Sequence, residues 1–142
     1  MKKFNFLVLF FVAALAFTAC QNPEKIIPSN EGTWEAVSIT ISEFEDGVAT
    51  VTDSVVTYNG NLTYQFNEDG TGVYTEDNET ENFTWLYDSD NEKLTISDGL
   101  FPLIFDVVEI SKDEMELFVT FELEFLGTVS RTDQTLILRK VE

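Results

Sequence analysis

From Met115 to Phe125 every second residue is apolar. Met115, Leu117, Val119, Phe121, Leu123 and Phe125 alternate with a second row that holds Glu116, Thr120, Glu122 and Glu124. A period of two kept this long is incompatible with a helix. It specifies a strand that is wet on one face and dry on the other. One such strand cannot cover its own dry face, so the rest of the chain must supply partners for it.

The partners are legible on both sides. Trp34 to Ser42 alternates, with Val37, Ile39 and Ile41 opposite Ser38 and Thr40, and Glu45-Asp46-Gly47 turns the chain. Val48 to Tyr58 is rich in Val and Thr, residues that favour strands. Asn59-Gly60 follows as a strong hairpin signal. Leu62, Tyr64 and Phe66 share a face before the turn Asn67 to Gly70, and Gly72 to Glu76 reads as a short strand. Asp77 to Glu81 reads as an acidic loop. Phe83, Trp85 and Tyr87 form an aromatic face, and Leu94 and Ile96 another short strand. Leu103 to Ile110 is largely apolar, and Thr135 to Val141 reads as the last strand.

About nine strands joined mostly by tight turns, with no helical period after residue 20, give an all-β class. The expected architecture is a single antiparallel up-and-down β-barrel of about eight to nine strands, with a β-sandwich as the alternative. Closure is favoured because it removes unpaired edges. No strand–helix–strand spacing appears, so a parallel sheet is not expected.

Composition narrows the function. The 142 residues hold 26 acidic and 8 basic side chains, a formal net charge of −18. Such an excess repels nucleic acid, whose binding requires cations against phosphates. It also disfavours docking on an anionic headgroup surface through side chains. Thirteen Phe, four Tyr and two Trp supply the apolar bulk that acidic disordered segments lack. There is no histidine. That removes the commonest general base and the usual triads, together with most transition-metal sites. Asp88 to Glu92 gathers oxygen ligands but lacks the glycine and distal glutamate of a calcium loop, so a solvated turn is expected. Asp106, the one charge in an apolar strand, is expected to face water. No metal and no cofactor are expected.

The N-terminus carries an address. Lys2 and Lys3 precede an apolar run from Phe4 to Phe17, too short to span a bilayer, and Thr18-Ala19-Cys20 follows. This layout resembles the lipobox of bacterial lipoproteins, with Phe17 where leucine is usual. The resemblance implies that Cys20, the only cysteine, carries a diacylglycerol and becomes the mature N-terminus. An ordinary secretory cut after Ala16 is the alternative. The expected organisation is a signal peptide over 1–19, a polar linker over 20–31 in which Pro23 and Pro28 interrupt any period, and one domain over 32–142. The membrane would be reached through the lipid, and the location would be the cell envelope, with the outer membrane favoured and either the periplasmic or the surface face.

Gly32-Thr33-Trp34 at the start of the first strand and Arg139 in the last resemble the lipocalin arrangement, in which a G-x-W tryptophan packs beneath a basic residue of the final strand. The segments Leu62 to Gly72, Phe83-Thr84-Trp85 and Lys93 to Ile96 are similar to the lipocalin-like domains of Bacteroidetes lipoproteins. The resemblance implies a barrel closed by the Trp34–Arg139 pair. The plainer alternative is a core tryptophan and a surface arginine. A second lipocalin motif is not present.

Inward-facing candidates are Leu62, Tyr64, Phe66, Phe83, Trp85, Tyr87, Leu117, Val119, Phe121 and Leu123. In a barrel of about eight strands these either fill the interior or enclose one small ligand. The residues expected to meet such a ligand are Tyr64, Phe66, Trp85, Tyr87 and Phe121, with a tyrosine hydroxyl to orient it. The expected function is therefore non-catalytic binding of a small apolar molecule by a lipid-anchored barrel. The alternative is a filled barrel that docks on another envelope protein. An enzyme is the third reading and would need a cleft of perturbed carboxylates, because the domain holds neither histidine nor a thiol.

Overall fold

The computed structural model describes residues 22–141; the signal segment and Cys20 lie outside the described residues. After a single helical turn, α1 (Pro23–Ile26), and a short 3-10 turn at Asn30–Gly32, nine antiparallel strands follow: β1 (Thr33–Glu45), β2 (Val48–Thr57), β3 (Leu62–Phe66), β4 (Thr71–Glu76), β5 (Glu79–Asp88), β6 (Lys93–Ser97), β7 (Pro102–Ile110), β8 (Glu114–Phe125) and β9 (Thr128–Lys140). Among the described residues no helix is long and apolar enough to cross a membrane.

Strands β1 and β3 to β9 close into an eight-stranded barrel, because β1 pairs with β9 from Trp34↔Lys140 to Glu45↔Ser130 as well as with β3. The barrel, rather than the sandwich, is the observed fold. β2 is the extra strand, and it corrects the hairpin expected at Asn59-Gly60. β2 and β3 do not pair with each other. They lie one after the other along the same edge of β1, β2 against Ser38–Glu45 and β3 against Thr33–Glu35. The Tyr58 amide still donates to the Val37 carbonyl at 2.9 Å, so the chain keeps its direction and Gly60 (φ 79°) absorbs only a kink. The acidic loop expected over Asp77 to Glu81 is also shorter than its sequence implies. Asp77 and Asn78 (φ 48° and 73°) make a two-residue hairpin turn, and β5 begins at Glu79. The last strand starts at Thr128 rather than Thr135, because Leu126-Gly127 turns tightly against β8.

The core is concentrated at one end. Trp34, Phe66, Leu94, Met115, Leu117 and Leu138 are fully buried there, with Ile27 among them. The segment expected as a linker, with local docking of Ile26-Ile27 as the alternative, is docked on the barrel from Asn22 onward. Asn22 caps α1 by accepting from the Glu24 amide at 3.0 Å, and Pro23 occupies the first helical position. That turn delivers Ile27 into the core. The Ile27 carbonyl accepts from Trp34 Nε1 at 2.9 Å and from Lys140 Nζ at 3.0 Å, and Lys140 Nζ also reaches the Ile26 carbonyl at 3.0 Å.

The cation over Trp34 is Lys140, not Arg139. Its Nζ stands 4.2 Å from the indole centroid, while Arg139 is exposed. The reason is strand parity. Trp34 lies directly opposite Lys140 in the β1–β9 register, so these two share the inward face and Arg139 points outward. Gly32 completes the seal. It has φ 65°, and a Cβ there would fall 1.8 Å from the Phe66 carbonyl oxygen, so only glycine lets the chain enter β1 this closely.

Burial pulls the Lys140 ammonium down to about 8. Between that value and its ordinary 10.5 the unfolded chain binds the extra proton, so this residue's contribution makes stability rise with pH across that window. Below it, the cost of the buried charge is present in full. Urea unfolding of wild type and Lys140→Met at a series of pH values should show the rise in wild type alone. Gly32→Ala should lower the unfolding free energy by at least about 2 kcal/mol, read as a lower urea midpoint, since a positive φ and a backbone clash coincide.

Candidate functional site

Sheet length makes the two ends of the barrel different. β1, β2, β8 and β9 run ten to thirteen residues, whereas β3, β4 and β6 run five or six. β7 pairs with β8 only from Ile110↔Met115 to Asp106↔Phe118. Beyond Phe118 the long strands therefore rise as a wall, β2-β1-β9-β8, above the rim of the short ones. At that open end the inward faces of β3 to β7 line a cleft of about 250 Å³.

The cleft is lined by Tyr64, Tyr74, Phe83, Ile96 and Leu103 from successive strands, by Phe101 from the β6–β7 turn, and by Glu81, Asn82 and Asp98. Pairing explains the convergence: Tyr64 is opposite Tyr74, Tyr74 opposite Glu81, and Ile96 opposite Leu103. The rings form a connected set. Tyr64 meets Tyr74 at 5.3 Å and Phe83 at 6.4 Å between centroids. Phe83 then stands edge-on to Phe66 at 5.3 Å, and Phe66 to Trp85 at 5.6 Å. Gly72 allows this, because a Cβ there would fall 2.3 Å from the Phe83 ring.

The tyrosine hydroxyls are held protonated. Burial, then the neighbouring Tyr58 and Glu76, pushes Tyr64 up to about 12. Tyr74 is raised further, by burial first and then by the hydrogen bond its hydroxyl donates to Glu76. At the rim, the amides of Leu100 and Phe101 donate to the Asp98 carboxylate at 2.8 and 3.2 Å. They hold its pKa below the usual carboxylate value and fix the turn that carries Phe101. A more open groove of about 460 Å³ shares Asn82, Phe83 and Asp98 with the cleft, but its walls are mostly Thr, Asn, Ser and Gly.

The five residues expected to meet a ligand are not in one place. Tyr64 lines the cleft. Phe66 and Tyr87 belong to the buried core below it. Trp85 is half-buried, and its indole N–H is shared between the Asn67 and Thr71 carbonyls at 3.0 and 3.1 Å, pinning the β3–β4 turn rather than facing a ligand. Phe121 is 41% exposed on the protruding part of β8. Tyr74, Ile96, Phe101 and Leu103 were missed. Tyr74 lies across from Tyr64 because five residues, 67–71, separate the paired ends Phe66 and Gly72; a four-residue turn over Asn67–Gly70 would have put Val73 there.

The other polar features have local roles. Asp106 is exposed and paired with Lys93. The Asp88 carboxylate accepts from the Asp90 and Asn91 amides and from the Asn91 side chain, a self-contained turn. Among the described residues no cluster of three Cys, Asp or Glu is arranged to hold a metal ion.

Residues 31–117, from the residue before Gly32 to Leu117 in the first third of β8, match the model of the lipocalin-like domain. The chain belongs to the lipocalin-like domain family. Comparison with curated proteins and with solved structures gave no match. In this lipocalin-like domain the match stops short of β9, the strand whose pairing with β1 completes the closure.

The shift at Tyr64 has a measurable consequence. The unfolded chain releases this phenolic proton near 10 and the folded chain near 12, so Tyr64 contributes a loss of stability as pH rises between those values. Phenolate absorbance of the folded protein should show one fewer late-ionising tyrosine in Tyr64→Phe than in wild type, with the step belonging to Tyr74 retained.

Proposed function

We propose that this protein is a lipid-anchored component of the cell envelope whose lipocalin-like barrel binds a small apolar ligand without catalysing a reaction. The observation that carries the binding reading is the cleft at the open end, where apolar and aromatic side chains from five consecutive strands converge around a few polar groups. Its volume suits a molecule the size of one substituted ring rather than a long acyl chain. The space below it is occupied by large buried side chains, so the ligand would sit in a cup at the open end.

The anchor reading is supported by the arrangement of Lys2-Lys3, the apolar run and Thr18-Ala19-Cys20. α1 starts three residues after Cys20 and is docked on the barrel, so a lipid on that sulfur would hold the closed end near the bilayer. Non-catalytic binding fits a chain without histidine.

A second reading, an interaction module for another envelope protein, is favoured by a separate observation. Leu123, Phe125 and Leu126 are largely exposed where β8 has lost its β7 neighbour.

Mass spectrometry of protein extracted from its native membrane tests both parts of the proposal. It should show a lipid mass on Cys20 that Cys20→Ser lacks, and a retained small molecule. A neutral single-ring molecule such as p-cresol, followed by NMR titration, should bind wild type. It should bind Leu103→Trp, which fills the cleft from a partly exposed position, at least about tenfold more weakly at similar stability. Equal binding by the two proteins would transfer support to the interaction reading.

A further inference from the structure

The two ends of the barrel differ in charge as well as in packing. Six basic residues lie within 22–141. Lys25 is in α1, Lys93 starts β6, Lys112 sits in the β7–β8 turn, and Arg139 and Lys140 end β9, so five of the six surround the closed end. The sixth, Arg131, is turned to the outer face of the protruding wall. There it pairs with Asp133 at 3.0 Å and covers the Phe44 ring at 4.2 Å. The cleft thus has carboxylates and no cation among its lining residues. Glu81 and Asp98 are at its edge, and Glu76 lies beside Tyr64 and Tyr74. The turns on either side add Glu45, Asp46, Asp77 and Glu79 to the same end.

The cleft walls suit the same sign of charge. Tyr64, Tyr74, Phe83 and Phe101 present aromatic rings whose faces are negative, the arrangement that receives an ammonium group. The Tyr74 hydroxyl donates to the Glu76 carboxylate, which pushes electron density into that ring. An anion entering here would meet three carboxylates and, among the described residues, no cation. A neutral molecule would use the rings but gain nothing from the acids. An organic cation uses both, and the field of a chain carrying −18 would draw it toward the mouth.

We infer that the ligand of the open-end cleft is an organic cation, an amine or quaternary ammonium on a small apolar body, held by Tyr64, Tyr74, Phe83 and Phe101 with Glu81 and Asp98 at the rim. This rests on the reading that the cleft binds a small ligand, and it adds the charge class of that ligand.

The test compares three molecules of similar shape on the full chain: phenethylammonium, phenethyl alcohol and hydrocinnamate. Titrations followed by NMR at low salt should find the cation bound about tenfold more tightly than the alcohol and the anion weakest, with the preference shrinking as salt is added. In Glu81→Gln combined with Asp98→Asn, which keeps an acceptor for the Leu100 and Phe101 amides, the cation should fall toward the alcohol. Both ligands are measured on this variant, and unchanged amide shifts in the core strands report that the barrel is intact. Equal binding of cation and alcohol to wild type overturns the inference while leaving the apolar cleft standing. Failure of all three overturns both. A cation preference that survives undiminished in the double variant overturns the assignment to these two carboxylates.

Discussion

The carbonyl of Ile27 holds the closed end of this barrel together. It accepts two hydrogen bonds, from the Trp34 indole and from the Lys140 ammonium, so one oxygen ties the N-terminal turn to the first and last strands. The ammonium is simultaneously placed over the indole ring. A charge buried this far needs such a set of partners, because no carboxylate of the described residues is among them and burial alone would expel it. Once these three groups are fixed, the register of β1 against β9 is fixed too. A slip by one residue would bring Arg139 inward and turn Lys140 out to water.

Sealing one end frees the other. Large buried residues occupy the lower barrel, and the upper rim is uneven because β3, β4 and β6 are less than half the length of β1 and β9. The cleft exists because of that difference in length rather than because small residues hollow out the interior. Its lining is bulky, and it stays open only because no long strand crosses above Tyr64, Phe83 and Ile96. The same geometry leaves part of the alternating row on β8 uncovered. Met115, Leu117 and Val119 are buried, whereas Phe121, Leu123 and Phe125 belong to the same face and are not.

Much of this was legible in the sequence, and the parts that were not share a cause. Alternation in Met115–Phe125 and in Phe83–Tyr87 gave the strands and their faces, because a period of two is set by the backbone alone. Gly32-Thr33-Trp34 was recognisable as the barrel entrance. What alternation cannot give is how far each strand is covered, and so Phe121 was expected inside with Leu117. It cannot count parity across a long separation either, which is why Arg139 was expected where Lys140 stands; a bulge between Ala36 and Ser38 lies between the two registers. Asn22-Pro23 is a sound helix start, but a single turn has no period to display, and the segment looked like a tether. Asn59-Gly60 has hairpin chemistry, yet the neighbour that decides its use is β1, more than twenty residues earlier. The cleft was the least legible element, since five strands contribute to it and only Tyr64 among the expected residues reaches it.

Hydrogen exchange measured by NMR tests the central claim directly, that one end is locked by the Ile27 carbonyl while the other is open. The indole N–H of Trp34 and the amides pairing β1 with β9 near Ala36 and Leu138 should exchange only with global unfolding. The amides of β8 from Phe121 onward should exchange orders of magnitude faster. A Trp34 indole proton that exchanges as fast as those, with the barrel still folded, would contradict the account.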